Sequence, residues 1–83
     1  MKPADEKRRY RRYRHRLEAL VVIDDGRTHV PAQVLDASAF GARIRLGEDV
    51  DLPDEFRMLF MRRIEQCRVV WRDRRTFGLV YQD

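Results

Sequence analysis

From Leu17 onward apolar and polar residues trade places at every second position, the period of a half-buried strand rather than of a helix. Leu20 to Ile23 is a short run rich in β-branched residues, closed by Asp24-Asp25-Gly26 and followed at once by a second run, so residues 17 to 36 predict a hairpin. In the second of these strands Val30, Ala32 and Val34 alternate with Pro31, Gln33 and Leu35. Pro31 has no N–H for a ladder and is expected at an unpaired edge or a bulge. Phe40, Ala42, Ile44 and Leu46 alternate with Gly41, Arg43 and Arg45, predicting a strand with its apolar side inward and its arginines outward. Glu48 to Asp54 is acidic, contains Pro53 and predicts a loop with room for one helical turn.

Three more runs repeat the pattern: Phe56, Met58 and Phe60; Cys67, Val69 and Trp71; and Phe77, Leu79 and Tyr81, with Asp73-Arg74-Arg75 as a turn between the last two. That phase assigns Trp71 to the core beside Cys67 and Val69, with stacking on a ligand as the alternative. Six short strands without a helix predict an all-β fold, a small six-stranded antiparallel barrel, because closing the sheet is how so short a chain hides its edges.

Charge changes the picture at the N-terminus. Seven of the ten residues from Lys7 to Arg16 are Lys or Arg and none is acidic, whereas the rest of the 83-residue chain holds 11 Lys/Arg against 14 Asp/Glu. The chain divides into an Arg-rich arm, residues 1–16, and a mildly acidic barrel, residues 17–83. An arginine fork matches phosphate oxygens or the O6/N7 edge of guanine, so the arm points to an anionic, guanine-bearing ligand. A single cysteine excludes an internal disulfide and suggests a reducing, cytoplasmic setting. No apolar run approaches the roughly 20 residues that span a bilayer, so no membrane insertion is expected.

Catalysis finds little support. His15 and His29 stand far from Cys67 along the chain, which offers no metal-ligand spacing, and an aspartate two residues from Ser38 on a turn is not a triad. Four scattered glycines make no phosphate-cradling loop. No cofactor is expected, and the chain reads as a binding module rather than an enzyme.

Arg8-x-x-x-Arg12, a gap of some twenty-odd residues, the Asp36-Ala-Ser38-Ala-Phe-Gly41 stretch, and then the strands Val69-Val70-Trp71-Arg72 and Phe77-Gly78-Leu79-Val80-Tyr81 together resemble the PilZ domain family. The resemblance covers essentially the whole chain from about Arg8. It implies a six-stranded barrel that binds cyclic di-GMP, a bacterial second messenger, without altering it. Arg8 and Arg12 would grip guanine edges and phosphates, Asp36 and Ser38 would hydrogen-bond a guanine, and Gly41 would allow close backbone approach, with glycine's tolerance of positive φ as a reason for its place there. Arg9, Arg16, Arg43 and Trp71 are additional candidates, since Arg12-x-x-x-Arg16 offers a second register. The chain stops shortly after Tyr81, leaving no room for the C-terminal helix many family members carry.

Function then follows as an expectation: a receptor whose arm changes conformation on binding cyclic di-GMP and signals to a protein partner the sequence does not name. Two alternatives stay open, a nucleic-acid-binding barrel and a PilZ-like adaptor that binds no nucleotide. The acidic body and Asp36 disfavour nucleic acid, whose backbone repels carboxylates. Asp36 and Ser38 also make sense as nothing more than a turn that reverses the chain, and the arm as a solvated tail.

Overall fold

A computed structural model describes residues 17–82 as six strands: β1 (Leu17–Ile23), β2 (Thr28–Ala37), β3 (Gly41–Leu46), β4 (Glu55–Phe60), β5 (Arg63–Asp73) and β6 (Thr76–Gln82). Every neighbouring pair is antiparallel, and the sheet closes on itself in the order β1-β2-β3-β6-β5-β4. The expected barrel is therefore the observed one. Arg8, Arg9, Arg12 and Arg16 lie outside the described residues.

Alternation produces the core directly. The inward positions of all six strands meet in one cluster whose most enclosed members are Val21, Ile44, Leu46, Met58 and Cys67. Burial of the Cys67 thiol, with the Glu65 carboxylate adding to it, pushes its pKa from an ordinary 9.0 up to about 12.

The β1–β2 hairpin turns through a short 3₁₀ segment at Asp24–Gly26, where Asp24 and Asp25 both take φ of 55° and Gly26 takes 88°. Asp24 anchors it by accepting from the Thr28 hydroxyl at 2.8 Å and the Arg27 N–H at 3.1 Å. Pro31 is exposed and sits one residue beyond the β2–β3 ladder, whose pairing stops at Ala32 opposite Leu46, so it faces an unpaired position as expected.

Because β3 and β4 stand on opposite sides of the barrel, residues 47–54 must cross its end. They do so as irregular loop without the expected helical turn. Buried Leu52 stoppers that end, and Arg72 clamps the loop by donating to the Leu52 carbonyl at 2.9 Å and the Asp54 carboxylate at 2.7 Å.

Two inward expectations fail. Phe40 belongs to the bend before β3 and is 81% exposed, because the extended alternation of β3 begins only at Gly41. Trp71 is 43% exposed, on the outside of the barrel. Its pairing explains why: Val69 stands opposite Leu79 but Trp71 stands opposite Gly78, so Val70 is an extra residue and the side-chain phase of β5 inverts across it.

Candidate functional site

The same irregularity occurs in β2. Val34 pairs with Ile44 and Asp36 with Arg43, leaving Leu35 as the extra residue. Without that bulge Asp36 would share the phase of buried Val30, Ala32 and Val34 and point into the core. With it, Asp36 faces outward beside Arg43. The two bulges thus turn an aspartate and a tryptophan, each in a core phase by sequence spacing, onto the outer surface.

Both land on one transverse row. Asp36 pairs with Arg43, Arg43 with Gly78, and Gly78 with Trp71, so the four residues cross β2, β3, β6 and β5 in order. Arg43 donates from a terminal nitrogen to Oδ2 of Asp36 at 2.7 Å, with both side chains about half exposed. From the other side the Trp71 indole lies over Gly78: a β-carbon added there would collide with Nε1, Cε2 and Cδ1 of the ring. A glycine inside a strand signals such a close approach, and the one in Phe77-Gly78-Leu79 was the cue in the sequence to an indole lying flat on β6.

Next to Asp36 the chain reverses. The Ser38 N–H donates to the Gly41 carbonyl at 2.9 Å, and the Ser38 hydroxyl oxygen accepts from the Phe40 N–H at 3.1 Å. Since the oxygen is already used as an acceptor, the hydroxyl proton is the group left to donate outward. Gly41 is glycine for a different reason from the one expected. Its φ is not positive, and a β-carbon there would run into the Leu79 carbonyl of β6, so the close approach is between β3 and β6 backbones. Phe40, exposed between Ser38 and Gly41, is held by its carbonyl, which accepts from the Tyr81 N–H at 2.8 Å. Sequence spacing missed its exposure because it falls on the inward phase of β3.

Asp36, Ser38, Gly41, Arg43 and Trp71 therefore gather on one face. β1 joins the arm to this neighbourhood, since Leu17, its first residue, pairs with Val34, two residues before Asp36. What the face offers is a carboxylate oxygen, a hydroxyl donor, a guanidinium and a flat aromatic ring, the group set that reads the edge and face of a nucleobase.

The PilZ domain family matches residues 6–83, nearly the whole chain. This chain belongs to the PilZ domain family. PilZ domains are receptors for cyclic di-GMP, and they bind and relay rather than catalyse. Comparison with curated proteins and with solved structures returns no match. Among the described residues of this PilZ domain no helix is long and apolar enough to cross a membrane.

Proposed function

We propose that this PilZ domain binds cyclic di-GMP on the outer face of β3 and β6 and passes the signal to a protein partner. One observation carries the reading: the bulges at Leu35 and Val70 bring Asp36 and Trp71 to the same row, on either side of Arg43. Bulges that re-aim side chains concentrate beside functional sites. In this reading Asp36 accepts from the N1 and N2 donors of a guanine, Ser38 adds a donor, Arg43 holds the carboxylate and faces ligand acceptors, and Trp71 stacks on the base. Gly41 contributes by keeping β3 tight against β6 so that the turn before it has a fixed place.

Arg8 and Arg12, or Arg12 and Arg16 in the second register, with Arg9 beside them, supply the remaining cationic grip from the arm. Neutralising that charge with a dianionic ligand would draw the arm over the row and alter the surface offered to the partner. Amide exchange with and without ligand tests that step: arm exchange that does not change on saturation rules it out.

Trp71 is the only tryptophan, so its fluorescence reports the row itself. Titration with cyclic di-GMP, cyclic di-AMP, GTP and a short oligonucleotide is expected to change the emission strongly with cyclic di-GMP alone. Equal binding of cyclic di-AMP defeats the guanine assignment, and tighter binding of the oligonucleotide would favour a nucleic-acid barrel instead.

A further inference from the structure

One row along the strands from Asp36 and Arg43, the outer surface dips into a cavity of about 410 Å³ between β1, β2 and β3. Glu18, Gln33 and Arg45 cross its floor in register, Glu18 paired with Gln33 and Gln33 with Arg45. Arg75 enters from the β5–β6 turn and is fixed there by donating to the Gly47 carbonyl at 2.9 Å. Glu48 and the ring of exposed Pro31 complete the wall. No ion pair joins Glu18 or Arg45 to another side chain among the described residues. They stand two strand spacings apart, about 10 Å between backbones, and are not paired with each other.

The charge in this cavity selects the kind of group it takes. Two carboxylates balance two guanidiniums, so a phosphate gains little there. A neutral base with acceptors at one end and donors at the other gains at both ends. Guanine has that polarity: its O6 and N7 accept and its ring N1 and exocyclic N2 donate. Arg45 and Arg75 supply donors at one end, where Glu48 follows the Gly47 that Arg75 holds; Glu18 supplies acceptors at the other, and the Gln33 amide between them can do either. Two residues along β3 separate Arg45 from Arg43, roughly 7 Å, so the cavity adjoins the first row without overlapping it.

We infer that this cavity is a second guanine subsite, taking the base of cyclic di-GMP that the Asp36–Trp71 row leaves unread. The inference rests on the cyclic di-GMP reading above. It makes the domain a reader of two guanines rather than one, with Glu18 and Arg45 setting the selectivity at the second.

Cyclic GMP-AMP, which carries one guanine and one adenine, separates the two subsites. The parent is expected to bind cyclic di-GMP at least about fivefold more tightly than cyclic GMP-AMP, since a bidentate base contact discriminates by at least that factor. Glu18→Gln and Arg45→Ala, both at exposed positions, should each bring that ratio close to one by weakening cyclic di-GMP. The thermal midpoint and the Trp71 fluorescence change at saturation should stay as in the parent. Gln33→Ala provides an independent third variant with the same expected direction. A parent ratio near one, or variants that keep the parent ratio, overturns the second subsite while the first stands. A parent that binds no cyclic di-GMP overturns both.

Discussion

The two sides of this barrel are built from the same kind of strand and look unlike one another. Across β1, β4 and β5 the pairing is regular: Leu20 lies opposite Leu59 and Leu59 opposite Ile64, all partly or well exposed, and no residue is out of phase. Across β2, β3, β6 and β5 the pairing is broken twice, and the row holds an ion pair, a tryptophan and a glycine. Regular alternation sorts residues only into inside and outside. Placing a carboxylate and an indole at chosen points on one surface takes a local break in the ladder, at the cost of a lost pairing. β5 belongs to both sides, and its bulge at Val70 marks where one regime gives way to the other.

Gly41→Ala should have the largest effect, because the added carbon meets the Leu79 backbone, which cannot move without parting β3 from β6. A loss of about 1–3 kcal/mol or more is expected from such overpacking, read as a drop in denaturation midpoint, with ligand binding lost alongside. Gly78→Ala first meets the exposed Trp71 ring, whose atoms are its three nearest neighbours, and should leave the fold intact while dislodging the indole. Equal destabilisation by the two would show that both glycines serve the backbone alone.

Trp71→Ala should weaken cyclic di-GMP binding by about 1–3 kcal/mol, the usual worth of a base on an aromatic platform, with a small shift in midpoint. This reverses what an inward tryptophan would do. Unfolding without Trp71 would return it to the core despite its exposure.

Cys67 faces inward on β5, beneath both surfaces, and its titration measures the core they share. Its folded pKa of about 12 lies above the ordinary 9.0 of the unfolded thiol, so below pH 9 both states are protonated and the group leaves stability unchanged with pH. Between the two values only the unfolded thiol ionises. Stability should then fall by about 1.4 kcal/mol per pH unit on account of this one group. Cys67→Ala should flatten that part of the slope in chemical denaturation between pH 9 and 11; identical slopes would mean that the thiol is not shielded.

Ile64→Thr should do least. The side chain is 66% exposed on the regular face, so stability should move by no more than about 0.5 kcal/mol and nucleotide affinity not at all. A change in affinity would mean that the two sides communicate through β5.

Much of this was open to reading along the chain. Val30, Ala32 and Val34, or Ala42, Ile44 and Leu46, are buried where their period puts them, because a strand side chain alternates faces whatever its neighbours do. Asp24-Asp25-Gly26 turns where its residue types favour positive φ, and Arg43 and Arg45 face outward as their phase requires. The Asp36–Gly41 stretch was visible as a motif, and so was the family it belongs to.

What alternation along one strand determines is the identity of the strands and most of the core. Which face Asp36 and Trp71 occupy is a different kind of fact. A bulge is a mismatch in residue count between two paired strands, so neither Leu35 nor Val70 carries a local mark of it. The close approaches at Gly41 and Gly78, and the cavity over Glu18, Gln33 and Arg45, likewise depend on residues brought together from strands far apart in the chain. Composition and alternation along the chain were enough to specify a small barrel with a basic arm and the Asp36–Gly41 motif. Only the closed sheet, by setting registers between its strands, decided which side chains share a surface.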